Sequence, residues 1–421
     1  MRPAIFSILA FLFVATPIFA LTMDEAVELA LKNSHQIREQ KELYHASAYR
    51  LKSAKGGYYP DLNLSYTYIK LDHFLSFQTN ESSVASIEAK YNLFNGFMDR
   101  NDIKAAAALV DAKLYQKKAV EADIVLEVKI AFVNLLRAKK NHAVAQEAVN
   151  LLESQKRDIE LHYREGLVAK NEVLKVDVEL ASSRQVLLLS ESTVKIAAHV
   201  LERVMGVKLD GDREMEALEE TGDVIPEYDD LLSAMLTHRS ELKYMKALKQ
   251  SKNFDRKSAR GEYLPTVDFS FRYSKFGDTS SPSGRAGLHD DEKRTMLEME
   301  WELADGIKKR HNVRAAEADL RAADAQLKDL EAELVLQLKQ AVEGYKLARS
   351  RVEVATKAIK QAEENYRITD NQFKQRMATS TDVLDARVFL SRAKNDYNNA
   401  FYDLQASIAA IERVEESFVK R

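Results

Sequence analysis

Apolar side chains recur at steps of three and four residues along two very long stretches of this 421-residue chain. The first stretch follows Asn95-Gly96 and breaks only at Glu165-Gly166, and the second follows Asp305-Gly306. This period places the apolar side chains on one face of an α-helix, and its persistence over many heptads is typical of coiled-coil packing. At 1.5 Å per residue, a helix from about residue 97 to residue 163 would extend on the order of 100 Å. A compact globular domain has no room for such a helix.

Two shorter segments, about 62–94 and 266–304, change to a period of two. In each of them, two runs of alternating apolar and polar residues flank a polar stretch, which predicts a β-hairpin with one apolar and one polar face. Aromatic residues lie near one end of the strands, as in the interfacial girdles of membrane barrels. The acidic residues that alternate with the apolar ones are expected to face a water-filled lumen, and these are Glu88, Glu298, Glu300 and Glu302.

The two halves of the chain carry the same succession of signals. Tyr58-Tyr59-Pro60 before the first hairpin recurs as Tyr263-Leu264-Pro265 before the second, and Asn95-Gly96 recurs as Asp305-Gly306. The chain is therefore an internal duplication in which each half reads helix, hairpin, long helix, turn and long helix. The predicted organisation is a signal peptide at 1–20, a first repeat at 21–206, a connector at 207–230 and a second repeat at 231–421. The long helix pair covers about 97–206 in the first repeat and about 307–415 in the second.

A continuous apolar run occurs only at residues 4–20, where it follows Arg2 and ends in Ala20. A basic start, a short apolar core and a final small residue predict a secretory signal peptide, with an uncleaved anchor helix as the alternative. Since no later segment is apolar enough for a transmembrane helix, we expect any insertion into a membrane to use the β-strands. The formal charge of −3 argues against a nucleic-acid partner, and the absence of cysteine excludes disulfides, thiolate metal sites and a lipoprotein anchor.

Four strands are too few to close a barrel, so insertion through the strands requires several copies of the chain. Two copies would supply eight strands, whose interior is filled by side chains, and three copies would supply twelve strands around a lumen. The glutamates of the polar face suit a water-filled lumen better than a packed interior. The sequence therefore favours a homotrimer in outer-membrane lipid.

Several short motifs together make the mature chain resemble the TolC family of outer-membrane efflux and secretion channels. They are LTMDEAVELALKNS at the start, YYPDLNLSYTY and YLPTVDFSFRY at the hairpins, NLFNG and ELADG after them, and GLVAKNEVL and STDVLDA at the breaks between long helices. The resemblance implies a mixed α/β fold in which a trimer forms a 12-stranded outer-membrane β-barrel, continued by a long periplasmic α-helical barrel of coiled-coil helices. It also implies a passive conduit in a tripartite efflux pump or type I secretion system, whose partners are a periplasmic adaptor (membrane fusion) protein and an inner-membrane ABC or proton-driven transporter.

The breaks between the long helices are the tips of two helical hairpins, and the second tip covers Gln372–Ala386. In the TolC family the DVLD motif of this tip supplies rings of aspartates that narrow the periplasmic entrance, which assigns the gate to Asp382 and Asp385. The residues that the resemblance implies in the tip turns and in adaptor docking are Gly166, Leu167, Asn171, Glu172, Arg376, Ala378 and Thr381.

Well-known members of the family tie the two tips together through a basic residue four positions before the first gate aspartate. Ala378 holds this position here, so the tie is absent or replaced, with Lys170, Lys374 and Arg376 as candidate substitutes. Arg376 also stands where a turn glycine is expected. The alternative interpretation of the acids is ordinary capping, in which Thr381 or Asp382 satisfies the N-terminus of a helix.

Other classes of function fit the sequence less well. The nine histidines form no metalloprotease motif, there is no P-loop or nucleophile elbow, and Glu42 and His45 lack the second ligand pair that a di-iron site needs. We therefore predict no enzyme activity, no cofactor and no metal. The alternative function is a periplasmic adaptor or structural coiled-coil protein, which would be soluble and would have one helical hairpin. The sequence leaves the cargo open between drugs, metals, other small molecules and proteins.

Overall fold

The computed structural model of the protein describes residues 20–72, 79–209, 214–219, 225–285, 287–305 and 307–416. The signal peptide predicted at 1–20 lies outside these residues except for its last position, and so does Gly306. In chain order the elements are α1 (Met23–Asn33), α2 (His35–Gly56), β1 (Asp61–Lys70), β2 (Glu81–Asn95), α3 (Met98–Arg164), α4 (Lys170–Met205), α5 (Tyr228–His238), α6 (Ser240–Gly261), β3 (Thr266–Gly277), β4 (Asp291–Glu300), α7 (Lys308–Lys374) and α8 (Ser380–Glu415). The same order occurs twice, which confirms the duplication.

The helix predicted at the start of each repeat is divided in two. Thr22 caps α1 by accepting a hydrogen bond from the backbone N–H of Glu25 at 3.0 Å, and Ser34 caps α2 by accepting one from Ile37 at 3.5 Å. In the second repeat Arg239 separates α5 from α6. A serine side chain competes for nearby backbone groups, so it favours the start of a new helix over the continuation of an old one. The prediction of a single opening helix is therefore wrong in both repeats.

The long helices α3 and α7 have 67 residues each, and α4 and α8 have 36 residues each. At 1.5 Å per residue, α3 and α7 extend over about 100 Å. Each begins directly after a residue in the left-handed conformation, which is Phe97 with φ 64° in one repeat and Ile307 with φ 74° in the other. The chain thus turns sharply into a long helix at the same place in both repeats.

The four strands form one antiparallel sheet in the order β1–β2–β3–β4. Because β2 pairs with β1 on one side and with β3 on the other, the hairpins of the two repeats join into a single sheet. The pairing of β2 with β3 is irregular between Asn92 and Phe94, where the register shifts by one residue. β1 and β4 form the two edges of the sheet, and an edge strand presents backbone groups that another strand can pair with.

The sheet has one apolar and one polar face, because residues that pair across strands point to the same side. On one face Leu64 lies opposite Ile87, and Ile87 lies opposite Tyr273. On the other face Glu88 lies opposite Arg272. The apolar face is not covered by the described part of the protomer, and Leu64 is 84% exposed. The alternation predicted from the sequence is thus realised as a two-faced sheet.

The helical part has no single central core. α3 packs against α2, α4, α6 and α8, and α7 packs against α6 and α8. Buried apolar side chains form three clusters along this length, and fully buried members include Phe132, Leu135 and Leu338. Burial of each such side chain stabilises the fold by about 1.5–3 kcal/mol, so the stability is distributed along the helices. None of the described helices combines the length and the hydropathy that a transmembrane helix needs.

A buried ionic cluster fixes the end of α8 that is remote from the tips. Nη2 of Arg413, which is buried, lies 2.6 Å from a carboxylate oxygen of Asp123 in α3 and 2.6 Å from one of Glu241 in α6. Burial favours the neutral form of Glu241, but the charges of Arg413 and Arg239 outweigh it and hold the pKa of this carboxyl below its usual value. Removing Glu241 would leave the buried charge of Arg413 partly uncompensated, and breaking a buried pair in this way costs about 3–5 kcal/mol.

Candidate functional site at the helical tips

The two tips are built on the same turn. At the end of α3, the N–H of Leu167 donates to the carbonyl of His162 at 2.8 Å, and the N–H of Gly166 donates to that of Tyr163 at 3.0 Å. This pair of bonds is the Schellman motif, which satisfies the last carbonyls of a helix and requires a left-handed residue after it. Gly166 supplies that residue with φ 73°. Leu167, the next residue, is exposed at the outside of the turn.

The end of α7 has the same two hydrogen bonds without the glycine. Met377 donates to the carbonyl of Gln372 at 2.8 Å, and Arg376 donates to that of Phe373 at 2.9 Å. Arg376 has φ 62°, in the region that glycine occupies freely and that other L-residues occupy at a cost. The sequence-based expectation that Arg376 stands in a glycine position is therefore confirmed. Ala378 follows in the turn and is half-buried.

Thr379 is the residue that caps α8. Its hydroxyl accepts from the N–H of Asp382 at 3.3 Å, and the Asp382 carboxylate accepts from the N–H of Thr379 at 2.8 Å. Hydrogen bonds from the side chain and the backbone of Thr379 lower the pKa of Asp382. The capping interpretation is thus correct for Asp382, although the N-cap itself is Thr379 and not Thr381, because the helix begins at Ser380.

Asp382 and Asp385 are both exposed on one side of the first turns of α8. Residues three apart are neighbours on a helix surface, so the two carboxylates share a face. The opposite side of the same turns is buried through Val383 and Leu384, and Leu384 belongs to the same buried apolar cluster as Val176 of α4. The packing of the buried side therefore leaves both residues on the exposed side of α8, where the Asp382 carboxylate also accepts from Thr379.

The tips are tied to each other by Glu172, the third residue of α4. The hydroxyl of Ser380 donates a short hydrogen bond to Glu172, and Nζ of Lys175 lies 2.9 Å from the same carboxylate. Lys175 also donates to the hydroxyl of Thr381 at 3.4 Å. The hydrogen bond from Ser380, and after it the one from Lys175, lowers the pKa of Glu172. Asn171 adds a weaker bond of 3.4 Å to the Glu172 carboxylate.

Lys175 was not among the residues that the sequence suggested as substitutes for the missing basic residue. Of those candidates, Lys374 pairs with Asp370 of its own helix at 2.7 Å, and Arg376 forms the turn. Within the described part of the chain, no ion pair joins Lys170 to the other tip. A comparison of the two repeats could have pointed to Lys175, because this lysine occupies in the first repeat the position that Asp385 occupies in the second.

Three of the four glutamates predicted to face a lumen lie on the polar face of the sheet, and the fourth lies outside the sheet. Glu88 pairs with Arg272 on the polar face at 2.9 Å, and Glu298 and Glu300 lie on the same face in β4. Glu302 is not a strand residue, because β4 ends at Glu300, and its carboxylate lies 3.2 Å from Nζ of Lys309. The prediction that Glu302 belongs to the strand is therefore wrong. Among the described residues, no group of three or more His, Asp or Glu side chains could hold a metal ion.

Solved structures with this architecture include outer membrane channels. The chain is similar to the Campylobacter jejuni CmeC outer membrane channel, with a TM-score of 0.85 at 15% identity over 93% of this chain and 85% of that one. It is similar to the outer membrane protein VceC of Vibrio cholerae, with a TM-score of 0.80 at 18% identity over 93% and 95%. For the open state of the Neisseria gonorrhoeae MtrE outer membrane channel the TM-score is 0.79 at 13% identity over 95% and 90%.

A sequence model of the outer membrane efflux protein family matches residues 26–207 and 231–414. Since these segments make up most of the chain, the chain belongs to the outer membrane efflux protein family. The family and the shared fold confirm the resemblance to TolC-like channels and the outer-membrane location with a large helical part. A comparison with curated proteins gives no match.

Proposed function

We propose that three copies of the chain form one passive channel, with the strands in the outer membrane and the helices in the periplasm. The observation that carries this proposal is the uncovered apolar face of the sheet, on which Leu64 is 84% exposed. An apolar face backed by a polar one is the pattern of a barrel wall between lipid and water. Four strands cannot enclose a lumen, whereas twelve can, so the edges β1 and β4 would pair between neighbouring protomers.

The polar face of the sheet would then line the lumen. It carries both signs of charge, since Glu88 pairs with Arg272, and Lys90 lies 3.3 Å from Asp268. Glu298 and Glu300 add negative charge on β4. Such a mixed surface would hold water without favouring one sign of cargo strongly, which suits a conduit whose specificity comes from its partners.

Asp382 and Asp385 would form the periplasmic gate. They are exposed, and they share one face of α8, opposite to the buried side of the same turns. Three chains would bring two such carboxylates each to one axis. Like charges at close range repel, and rings of carboxylates favour cations over anions. The tie from Glu172 and Lys175 to α8 would hold this arrangement closed within each protomer.

The exposed turns of the tips would be the docking surface for a periplasmic adaptor protein and, through it, for an inner-membrane ABC or proton-driven transporter. Leu167 and Met377 are equivalent residues of the two turns, and both are exposed apolar side chains. Exposed apolar side chains at the end of an elongated protein are typical of surfaces that bind a partner. A tripartite efflux pump and a type I secretion system both place such a partner at this end.

Neutralising the gate tests this function directly. Replacing Asp382 and Asp385 by alanine is expected to raise the single-channel conductance in planar bilayers and to weaken block by multivalent cations. Because alanine at 382 also removes the acceptor for the N–H of Thr379, the Asp382→Asn, Asp385→Asn variant keeps an acceptor at that position and isolates the effect of charge. Asp396→Ala, at another exposed site on α8, is the control and should leave both quantities unchanged. Unchanged conductance and block in both gate variants would reject the gate.

Cell fractionation separates the channel from the alternative of a periplasmic adaptor or structural coiled-coil protein. A channel is expected in the outer-membrane fraction as a trimer that dissociates on heating in detergent. A soluble monomer in the periplasmic fraction would reject the channel. The alternative also provides no reason for the exposed apolar sheet face.

A further inference from the structure

A cavity of about 410 Å³ lies between α3, α4 and α8. It begins close to the tips and extends along the helices in the direction of the sheet. α3 packs against both α4 and α8, so it forms the middle of the cavity. The α3 residues that line it are mostly small or apolar, and they include Val144, Ala148 and Leu152. From Asn141 to Leu152 the lining extends along α3 for about 16 Å at 1.5 Å per residue. The cavity is therefore elongated and has an apolar middle.

The walls of the cavity carry more polar than apolar side chains. On α8, Arg387, Ser391 and Asn395 follow one another at steps of four, which places them in one column on the helix face. On α4, Glu179 and Ser183 line the opposite wall. The carboxamide oxygen of Asn395 is buried and has no hydrogen-bond partner among the described residues. A cavity with apolar and polar sides in this arrangement fits an amphipathic occupant.

Arg387 is the most unusual of these residues. It is 5% exposed, and its Nε and Nη1 have no hydrogen-bond partner in the described part of the chain. Nη2 makes one long contact of 3.5 Å with the hydroxyl of Tyr366, whose ring centre lies 5.8 Å from the guanidinium. A buried charge without a counter-charge costs several kcal/mol, and such charges are normally paired.

The other buried arginines in the described part of the chain follow that rule. Arg413 pairs with Asp123 and Glu241, and Arg239 pairs with Glu241 at 3.0 Å. For Arg387 the structure offers Glu179 across the cavity, but no ion pair joins these two described residues. Arg387 is one of the residues that line the cavity, so an occupant of the cavity would contact its side chain. The missing counter-charge is therefore expected inside the cavity.

We propose that this cavity binds an amphipathic organic monoanion, such as a carboxylate on an aromatic or alicyclic body. The acid would pair with Arg387, and the body would lie on the apolar middle formed by α3. Ser183 and Ser391 would donate hydrogen bonds from the two walls. The proposal is independent of the channel function, because it concerns an equilibrium binding site within one protomer.

Calorimetric titration of the full-length protein in lipid nanodiscs with 2-naphthoate tests this site. Naphthoate is expected to bind once per protomer, whereas the uncharged 2-naphthamide and the small anion acetate should bind at least tenfold more weakly. Arg387→Met should weaken naphthoate binding at least tenfold, and Arg387→Lys should retain part of it. Arg392→Met, at an exposed position of the same helix, is the control and should bind as the wild type does.

A second variant tests the apolar part of the site. Ala148→Phe would fill the middle of the cavity while leaving Arg387 in place, and it should also abolish naphthoate binding. Replacing a buried unpaired charge by methionine is not expected to unfold the protein, which retention of the oligomer would verify. The proposal is overturned if the wild type does not bind naphthoate, if Arg387→Met or Ala148→Phe binds it unchanged, or if acetate or naphthamide binds equally well. None of these results depends on whether the protein conducts ions.

Discussion

Single residues make the two tips different although their hydrogen bonds are the same. Gly166 and Arg376 occupy equivalent positions after α3 and α7, with φ angles of 73° and 62°. A Cβ on Gly166 would meet no atom within 4 Å, so the glycine is needed there for its backbone freedom and not for space. Since an L side chain in this conformation costs about 1–2 kcal/mol, the second tip is less stable than it would be with glycine at position 376.

Arg376→Gly is therefore expected to stabilise the second tip. A gain of about 1 kcal/mol would slow exchange of the Met377 amide, which is bonded to the carbonyl of Gln372, roughly fivefold in hydrogen-exchange mass spectrometry. The reverse substitution, Gly166→Ala, should speed exchange of the Leu167 amide by a similar factor. Equal exchange of Met377 in the wild type and in the glycine variant would contradict the assignment of strain to Arg376.

Between elements, the contact that matters most for the proposed gate joins the first two turns of α4 to the first turn of α8. It consists of Glu172 and Lys175 on one side and Ser380 and Thr381 on the other. Lys175→Met removes the cation but keeps the length of the side chain, so the tie should weaken. We expect more frequent openings in bilayer recordings at neutral pH, whereas Lys170→Met at the exposed start of α4 should behave as the wild type. A Lys175 variant with unaltered gating would show that the tie does not hold the gate.

The same contact has a definite pH dependence. The pKa of Glu172 is lowered in the tied state, mainly by the bond from Ser380 and then by Lys175. The tied state therefore binds the proton more weakly than the untied state, and the tie is fully present above the ordinary glutamate pKa of about 4.3. It is lost as the pH falls through the lowered pKa. Open probability should rise with acidification in the wild type, and Glu172→Gln should remove this contribution.

The elements that sequence reasoning predicted correctly are those whose periodicity persists over many residues. Heptads along α3 and α7, and alternation along the strands, leave few other interpretations. The break at Ser34 was missed because a single capping residue interrupts an otherwise continuous apolar face. Lys175 was missed because the partner that links it to the other tip, Thr381, lies more than 200 residues away, and no local pattern indicates this contact. Glu302 was misplaced because the alternation continues beyond the last paired residue of β4.

For the whole molecule, the duplication indicates how neighbouring protomers would meet. α6 packs against both α3 and α7, whereas among the described elements its equivalent α2 packs extensively against α3 but not against α7. A Cβ added to Gly261 at the end of α6 would lie 2.5 Å from the carbonyl oxygen of Gly96. Gly56 is the equivalent of Gly261, and a Cβ there would meet nothing within 4 Å in one protomer. In a trimer, Gly56 would pack against the next protomer in the way that Gly261 packs within one protomer.

Replacement by alanine should therefore affect folding of the protomer at Gly261 and assembly of the trimer at Gly56. Gly261→Ala is expected to reduce folding of the protomer, because the new atom clashes with backbone. Gly56→Ala should leave the protomer folded and lower the yield of trimers on unheated gels. Gly57→Ala is a matched control, since the residue equivalent to Gly57 in the second repeat is Glu262, which carries a side chain. Normal trimers in Gly56→Ala would count against this assembly.

The gate is the central claim for the assembled molecule, and the absence of cysteine from the chain makes it directly testable. Asp385→Cys introduces a single thiol where three protomers are proposed to converge, and Asp396→Cys introduces one about 16 Å further along α8. Treatment of the purified trimer with a short bismaleimide is expected to link protomers into covalent dimers at position 385 and to stop the channel from opening. The control at position 396 should remain uncrosslinked. No crosslinking at position 385, or equal crosslinking at both positions, would contradict a gate formed by convergence of the α8 tips.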